Sequence, residues 1–322
     1  MNEILLSSEV IVYLLSETIL FMLLILASIA TFGLLRKWNF TNFTTEQFTL
    51  ENRSYLVMTI IFMVMVLKVI LLPYFVYTID NLSSLIPGAM CGAGVVKANA
   101  YGNPLLLLKI VILFLSGLWL SINSMDLKER DYPYIKIKSW FFIFIFSLLS
   151  VEFVLDILYF THIETTNPVS CCSVIFGQTG GGNGLPFGLD ISKLLILFYL
   201  LFALVVLTVL SDLVVMSLVS TLLFGIISYY SVVYFFGTYI YELPTHQCPF
   251  CMLQHHYYYV GYLLWGLLLL GLFFTINNAV MQYFFKESSQ NLKRISLLLL
   301  SLFVLLCSAY VGIYYLKNGV LL

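Results

Sequence analysis

The feature that most limits the fold of this chain is a succession of long apolar stretches separated by short polar segments. We divide it into eight predicted membrane-spanning helices, at about 10–35, 56–79, 105–124, 140–161, 192–212, 217–241, 257–284 and 295–316. A helix needs about 20 mostly apolar residues to cross a bilayer, and each stretch is long enough. The sequence therefore predicts an all-α, polytopic integral membrane helix bundle in contact with lipid.

The composition supports this fold class and excludes several functions. Hydrophobic residues make up 61% of the 322 residues and charged residues only 10%, whereas soluble domains are about half apolar and about a quarter charged. The net charge is −1, and no basic run could neutralise a nucleic-acid backbone. These values exclude a soluble enzyme, a disordered protein and a nucleic-acid binder. We expect one membrane domain over 1–322, with halves at 1–161, which hold the intramembrane charges, and 162–322.

The basic residues predict how the chain is oriented in the membrane. Most of the fifteen Lys and Arg residues fall in the segments 36–55, 125–139 and 285–294. Cytoplasmic loops carry an excess of Lys and Arg, so these three segments are predicted to face inward. Both termini then face outward, and we expect a bacterial inner-membrane protein whose remaining loops lie on the periplasmic side.

Reactive side chains collect in the predicted outer loops. The following cysteines and histidines fall in or beside those loops: Cys91, Cys171, Cys172, Cys248, Cys251, His162, His246, His255 and His256. The one remaining cysteine, Cys307, lies inside the last span. The outer face of a bacterial inner membrane is oxidising, so cysteines there are disulfides, catalytic thiols or metal ligands.

The most specific motif is the segment His246-Gln247-Cys248-Pro249-Phe250-Cys251. The C-x-x-C spacing permits either a reversible disulfide or a two-thiolate grip on one metal ion. The seventh span is predicted to begin soon afterwards, which would put Cys251 near a helix N-terminus. The helix dipole would favour a thiolate there, and His246, His255 or His256 would assist its formation.

At Cys248 and Cys251 the layout resembles the DsbB and vitamin K epoxide reductase group of membrane thiol oxidoreductases. In that group a C-x-x-C stands at the outer end of a helix and exchanges disulfides with cysteines of another outer loop. The resemblance implies a thiol-disulfide oxidoreductase in which Cys171, Cys172 and Cys91 relay disulfides. Electrons would pass to a membrane quinone or to a periplasmic thioredoxin-like partner.

Two other functions are consistent with the same residues. Cys248, Cys251, His246, His255 and His256 are also the ligand types that copper, zinc and mercury prefer, which predicts transport or delivery of a soft metal. Alternatively, disulfides staple the outer loops of a non-catalytic subunit that docks against another membrane subunit.

Besides Lys193 and Asp212, which lie at the two ends of the predicted fifth span, five charged residues fall inside predicted spans: Glu17, Lys68, Lys109, Glu152 and Asp156. Such side chains are unfavourable in lipid and usually face the bundle interior or a water cavity. Glu152 and Asp156 are four residues apart, so they share one face of the fourth span. Two interpretations remain open, namely buried ion pairs that hold the packing together and a proton or cation path toward the outer loops.

Overall fold

The computed structural model describes residues 3–38, 45–129, 132–165, 167–169, 190–287 and 289–322. Within them, eight helices are long and apolar enough to cross a membrane. We number them α1 (Ser8–Lys37), α2 (Thr45–Leu82), α3 (Gly102–Asp126), α4 (Ile135–Thr161), α5 (Ile191–Leu210), α6 (Val214–Tyr241), α7 (Val260–Phe285) and α8 (Gln290–Asn318). The prediction of an all-helical protein with about eight spans is confirmed.

The outward faces of these helices explain why the chain needs lipid. On α1, Ile19, Leu26 and Ile29 are 53%, 63% and 67% exposed, respectively, and similar apolar side chains are exposed on the other helices. A water-soluble protein rarely exposes so much contiguous apolar surface. The protein is therefore an integral membrane protein with lipid-facing helices, whereas the outward orientation of both termini stays a prediction.

Between the predicted fifth and sixth spans, the polar residues Ser211, Asp212 and Ser217 indicate a turn. The structure puts the turn at residues 211–213, where Asp212 has a positive φ of 56°. Asp212 is half-exposed and accepts a hydrogen bond from Lys293 of α8. That hydrogen bond from the ammonium group lowers the pKa of the Asp212 carboxyl. Asp212 is thus a turn residue rather than an intramembrane charge.

The chain forms two compact units. Unit 1 comprises Met1–Pro87 and Val95–Val169, and unit 2 comprises Gly88–Gly94 and Ser170–Leu322. The short segment Gly88–Gly94 therefore packs with the second half of the chain although it precedes α3. The expected single domain over 1–322 and its halves at 1–161 and 162–322 stay predictions.

Unit 1 contains α1 to α4. Its apolar core includes Trp119, Phe142 and Ile145, all of them fully buried. The Trp119 indole donates to the Lys138 carbonyl oxygen at 2.9 Å, and the Lys138 ammonium lies 2.6 Å from a carboxylate oxygen of Asp126. This buried pair is balanced, with one cation for one anion.

Unit 2 contains α5 to α8. Aromatic rings fill its core, where Phe198 contacts Phe224, Phe236 and Phe303 at centroid distances of 5.5, 5.1 and 6.2 Å. One turn of α6, Val232–Phe236, has π-helical hydrogen bonding. Such turns are rare and recur at functional sites. Here the π-turn directly precedes the last residues of α6, which carry Tyr241 toward the C-x-x-C loop.

Candidate functional site, a cluster of three buried thiols

Three cysteines of unit 2 converge in one place, which we call the thiol cluster. The sulfur atoms of Cys91, Cys248 and Cys251 all lie within 4.8 Å of one another, and those of Cys91 and Cys248 are 3.5 Å apart. All three residues are at least nine-tenths buried. Two separate segments, 157 positions apart at Cys91 and Cys248, therefore supply one compact set of soft ligand atoms.

The sulfur spacing of the thiol cluster fits coordination of a metal better than a preformed disulfide. A disulfide bond is about 2.05 Å long, well below the 3.5 Å between Cys91 and Cys248. Metal–sulfur bonds of about 2.3 Å at tetrahedral angles put neighbouring sulfurs about 3.8 Å apart. Small shifts of these side chains would bring all three sulfurs to that spacing.

Tyr241 anchors the loop that carries the C-x-x-C. Its hydroxyl donates to the Cys248 carbonyl oxygen and accepts from the Met252 N–H at 3.0 Å. The ring of His246 lies 4.2 Å from that of Tyr241, centroid to centroid. One side chain at the end of α6 thus fixes the backbone on both sides of Cys251.

Two further hydrogen bonds hold the same loop. The indole of Trp265 in α7 donates to the Pro249 carbonyl oxygen at 3.2 Å. The Gln254 amide donates to the Met90 carbonyl oxygen at 3.0 Å, which joins the C-x-x-C loop to the segment that contains Cys91. Because the backbone is held from both sides, the cysteines are positioned before any ligand arrives.

The expectation that Cys251 stands at the start of the seventh span is wrong. Cys251–Leu253 is a single 3-10 turn, and α7 begins only at Val260. Tyr258 and Tyr259 have positive φ values of 53° and 55°, which no α-helix allows. Because the dipole effect falls off within the first turn, α7 does not activate Cys251.

The candidate histidines lie outside the thiol cluster as the structure describes it. His162, His255 and His256 are exposed, and His246 is partly buried against Tyr241. The three ligand atoms of the thiol cluster are all sulfurs, and the second group of three ligand atoms within 4.8 Å in the described chain consists of carboxylates, from Glu17, Glu152 and Asp156. Cys171 and Cys172 lie outside the described residues.

Tyr257 lies near the thiol cluster, whereas Cys307 lies outside it. Burial, together with the nearby Cys251, raises the pKa of Tyr257, so its hydroxyl stays protonated at neutral pH. Cys307 is buried inside α8 and is not among the three clustered thiols. It is a packing residue and serves as a control thiol below.

The five intramembrane charges form a second cluster, within unit 1, which we call the ionic cluster. Lys68 lies 2.8 Å from Glu17 and 2.7 Å from Glu152, whereas Lys109 lies 2.7 Å from Glu152 and 2.8 Å from Asp156. The structure thus contains the buried ion pairs that the sequence left open, contributed by α1, α2, α3 and α4.

Sequence reasoning missed two residues that complete these clusters, Tyr13 and Tyr241. Tyr13 is fully buried, and its hydroxyl lies within hydrogen-bond distance of Glu17 and Asp156. The position of Tyr13, four residues before Glu17, puts both side chains on one helix face and was a usable signal. Tyr241 had no such signal, because its partners are backbone atoms of a loop.

Gly261, in the first turn of α7, lies against the segment that follows Cys251. A β-carbon there would come within 2.6 Å of Met252 Cγ and 2.9 Å of the Met252 carbonyl carbon. We expect Gly261→Ala to lower the free energy of unfolding by roughly 1–3 kcal/mol, the usual effect of overpacking. Reversible unfolding in mixed detergent micelles measures this change.

Gly266→Ala is the matched control, since a β-carbon at Gly266 meets nothing within 4 Å. Alanine favours helix over glycine by up to about 1 kcal/mol, so this control should be neutral or stabilising. Equal stability of the two variants would contradict the close packing of α7 on Met252.

Comparison with known proteins adds no relative to this description. No protein-family model, no curated protein and no solved structure matches the chain significantly. The resemblance to the DsbB and vitamin K epoxide reductase group at the C-x-x-C stays a prediction. Function is inferred from the side chains themselves.

Proposed function

We propose that the protein binds a soft metal ion at the thiol cluster and acts in the transport or delivery of that metal at the membrane. The observation that carries this proposal is the convergence of three buried sulfurs, all within 4.8 Å, from two separate segments. Thiolates are the ligands that select soft ions over magnesium or calcium. The hydrogen bonds that hold the loop around Cys248 support binding, because a loop that is already ordered loses little conformational entropy when the ion binds.

Charge favours a divalent thiophilic ion, zinc or mercury, over monovalent copper. Three thiolates with a divalent ion leave one net negative charge, whereas three thiolates with Cu(I) leave two. Uncompensated charge is strongly unfavourable in a buried site, and all three cysteines are buried. The bias of Lys and Arg toward the other loops supports an extracytoplasmic face for this site.

A thiol-disulfide oxidoreductase is the second candidate. The 3.5 Å contact between Cys91 and Cys248 favours it, because this distance is short enough for one thiolate to attack a disulfide of the other. In this function Cys248 and Cys251 are the working pair and Cys91 resolves it, with a quinone or a thioredoxin-like protein as electron acceptor. The burial of all three thiols counts against direct attack by a soluble partner.

A metal titration tests the proposal. The reduced protein, purified without oxygen, is titrated with zinc against a chromophoric chelator of known affinity. We expect one ion per chain, and the same stoichiometry in Cys307→Ser, whose thiol lies outside the cluster. Mercury is titrated in the same way, and wild type that binds neither ion would overturn metal binding.

The second candidate is decided on the same sample. If metal does not bind, added quinone is followed by thiol mapping with mass spectrometry. A disulfide that joins two of Cys91, Cys248 and Cys251 would establish thiol oxidation in place of metal binding. Three unreacted thiols would reject both functions.

A further inference from the structure

The ionic cluster of unit 1 contains one more acid than base. Three carboxylates, those of Glu17, Glu152 and Asp156, face two ammonium groups, those of Lys68 and Lys109. The carboxylate side chains are at most 4% exposed. An unbalanced charge so far from water is strongly unfavourable, so the cluster requires one further positive charge.

The two lysine ammonium groups make more contacts with Glu17 and Glu152 than with Asp156. Lys68 donates to both carboxylate oxygens of Glu17 and lies 2.7 Å from Glu152 Oε2. Lys109 uses all three of its N–H bonds, on Glu152 Oε1 at 2.7 Å, Asp156 Oδ2 at 2.8 Å and the Tyr13 hydroxyl at 2.6 Å. Asp156 therefore receives one ammonium hydrogen bond and contacts one lysine, whereas Glu17 receives two hydrogen bonds from Lys68 and Glu152 contacts both lysines.

The Tyr13 hydroxyl sits between two competing acceptors. It lies 3.1 Å from Glu17 Oε1 and 3.1 Å from Asp156 Oδ1. A phenol has one proton to donate, so it can satisfy only one of these oxygens at a time. At any moment, either Glu17 or Asp156 therefore lacks the hydrogen bond from Tyr13.

We propose that the ionic cluster binds one exchangeable proton on Asp156 and that the Tyr13 hydroxyl turns with it. With the proton bound, Asp156 donates to the Tyr13 oxygen, Tyr13 donates to Glu17, and the cluster is neutral. When the proton leaves Asp156, Tyr13 turns to donate to Asp156, and the cluster carries one negative charge. The ligand of this site is the proton itself.

A small cavity beside the cluster supplies a second, independent observation. It has a volume of about 20 Å³, and Tyr13, Lys68, Glu152 and Ser116 are among the residues that line it. One water molecule needs roughly 10–15 Å³ by this measure. The Ser116 hydroxyl is 1% exposed and has no hydrogen-bond partner in the described ranges. Space for one water next to an unsatisfied hydroxyl is what a proton relay requires.

The groups around Asp156 favour a proton over a metal cation. Besides the cluster residues of α1, α2, α3 and α4, the Tyr159 hydroxyl is close, but it donates to the Val95 carbonyl oxygen at 2.9 Å. The two ammonium groups contact both oxygens of Glu17, both oxygens of Glu152 and Oδ2 of Asp156, so a metal ion would have to displace them. The cavity does not contact Asp156 itself, so the route from the cavity to Asp156 passes through the Tyr13 hydroxyl, which lines the cavity and lies 3.1 Å from Asp156 Oδ1.

Infrared spectroscopy tests the proposal directly on the full-length protein. A protonated carboxylic acid has a C=O stretching band that is absent from carboxylates and shifts when deuterium replaces the proton. At neutral pH we expect this band in the wild type, its shift in D₂O, and its loss in Asp156→Asn. Tyr13→Phe leaves the charge count unchanged, and its band should move to higher frequency because the hydrogen bond to the tyrosine is lost.

Controls and contrary outcomes follow from the same spectra. Asp126→Asn should keep the band, since Asp126 is equally buried but balanced by Lys138. Ser116→Val should slow the deuterium shift several-fold, and an unchanged rate would overturn the cavity as the route.

A wild type without the band, a band that persists in Asp156→Asn, or a band that never shifts in D₂O would overturn the proposal. If Asp156→Asn does not fold, an unmoved band in Tyr13→Phe would also overturn it.

Discussion

A Cys91→Ser variant is expected to bind zinc at least 100-fold more weakly than the wild type. Loss of a mere outer-shell partner weakens metal affinity by roughly 10–100-fold, and loss of a direct thiolate ligand should exceed that. A serine hydroxyl is nearly isosteric but is a hard, protonated ligand at neutral pH, so the fold is kept while the soft ligand is lost. Chelator competition with reduced protein measures the change.

Cys91 is the most informative of the three thiols because it does not belong to the C-x-x-C. Two thiolates at Cys248 and Cys251 alone would hold a metal in many proteins, so only the third ligand tests the cluster that the fold assembles. Cys307→Ser is the matched control and should retain wild-type affinity, since Cys307 is equally buried but lies elsewhere. Wild-type affinity in Cys91→Ser would refute coordination by three thiolates.

A Lys109→Met variant should lower the free energy of unfolding by about 3–5 kcal/mol, the usual effect of removing one partner from a buried ion pair. Lys109 donates three hydrogen bonds, to Tyr13, Glu152 and Asp156. Methionine fills a similar volume but leaves Glu17 and Glu152 to share the single ammonium group of Lys68 inside unit 1. Unfolding in mixed detergent micelles at neutral pH provides the measurement.

Two further variants separate charge from packing in this experiment. Lys109→Met with Glu152→Gln leaves Glu17 paired with Lys68 alone, so the double variant should be more stable than Lys109→Met. Lys128→Met, at an exposed position, should change stability by less than about 0.5 kcal/mol. If the double variant is no more stable than Lys109→Met, charge imbalance is not the cause of the loss.

The helices were predictable because hydropathy is a local property of the chain. Each span needs about 20 apolar residues in succession, and no distant contact changes that requirement. The observed α4 and α6 end at Thr161 and Tyr241, at the predicted residues. The turn at Asp212 was marked by a cluster of polar residues between two apolar runs. By contrast, hydropathy alone starts the second span at 56, whereas α2 begins at Thr45 because its first turns are polar. The capping-box spacing of Thr44 and Gln47 predicts that earlier helix start.

The thiol cluster was only partly predictable. The C-x-x-C is local, and its two sulfurs had to be close. Cys91 was one of three candidate partners, and the choice among them depends on how the segment Gly88–Gly94 packs in unit 2. The position of Cys251 relative to the seventh span was mispredicted, because the backbone conformation of Tyr258 and Tyr259 delays α7 to Val260. Three consecutive tyrosines carry no sequence signal for a left-handed turn.

By itself, the sequence determined that this is a helical membrane protein and which side chains are able to perform chemistry. Both conclusions depend on properties that each residue carries with it, its transfer free energy and its functional groups. Only the tertiary structure decided that Cys91 meets Cys248 and Cys251, and that two lysines meet three carboxylates around Tyr13. Those encounters join residues far apart in the chain, and they arise from packing between helices and loops, which no local pattern encodes.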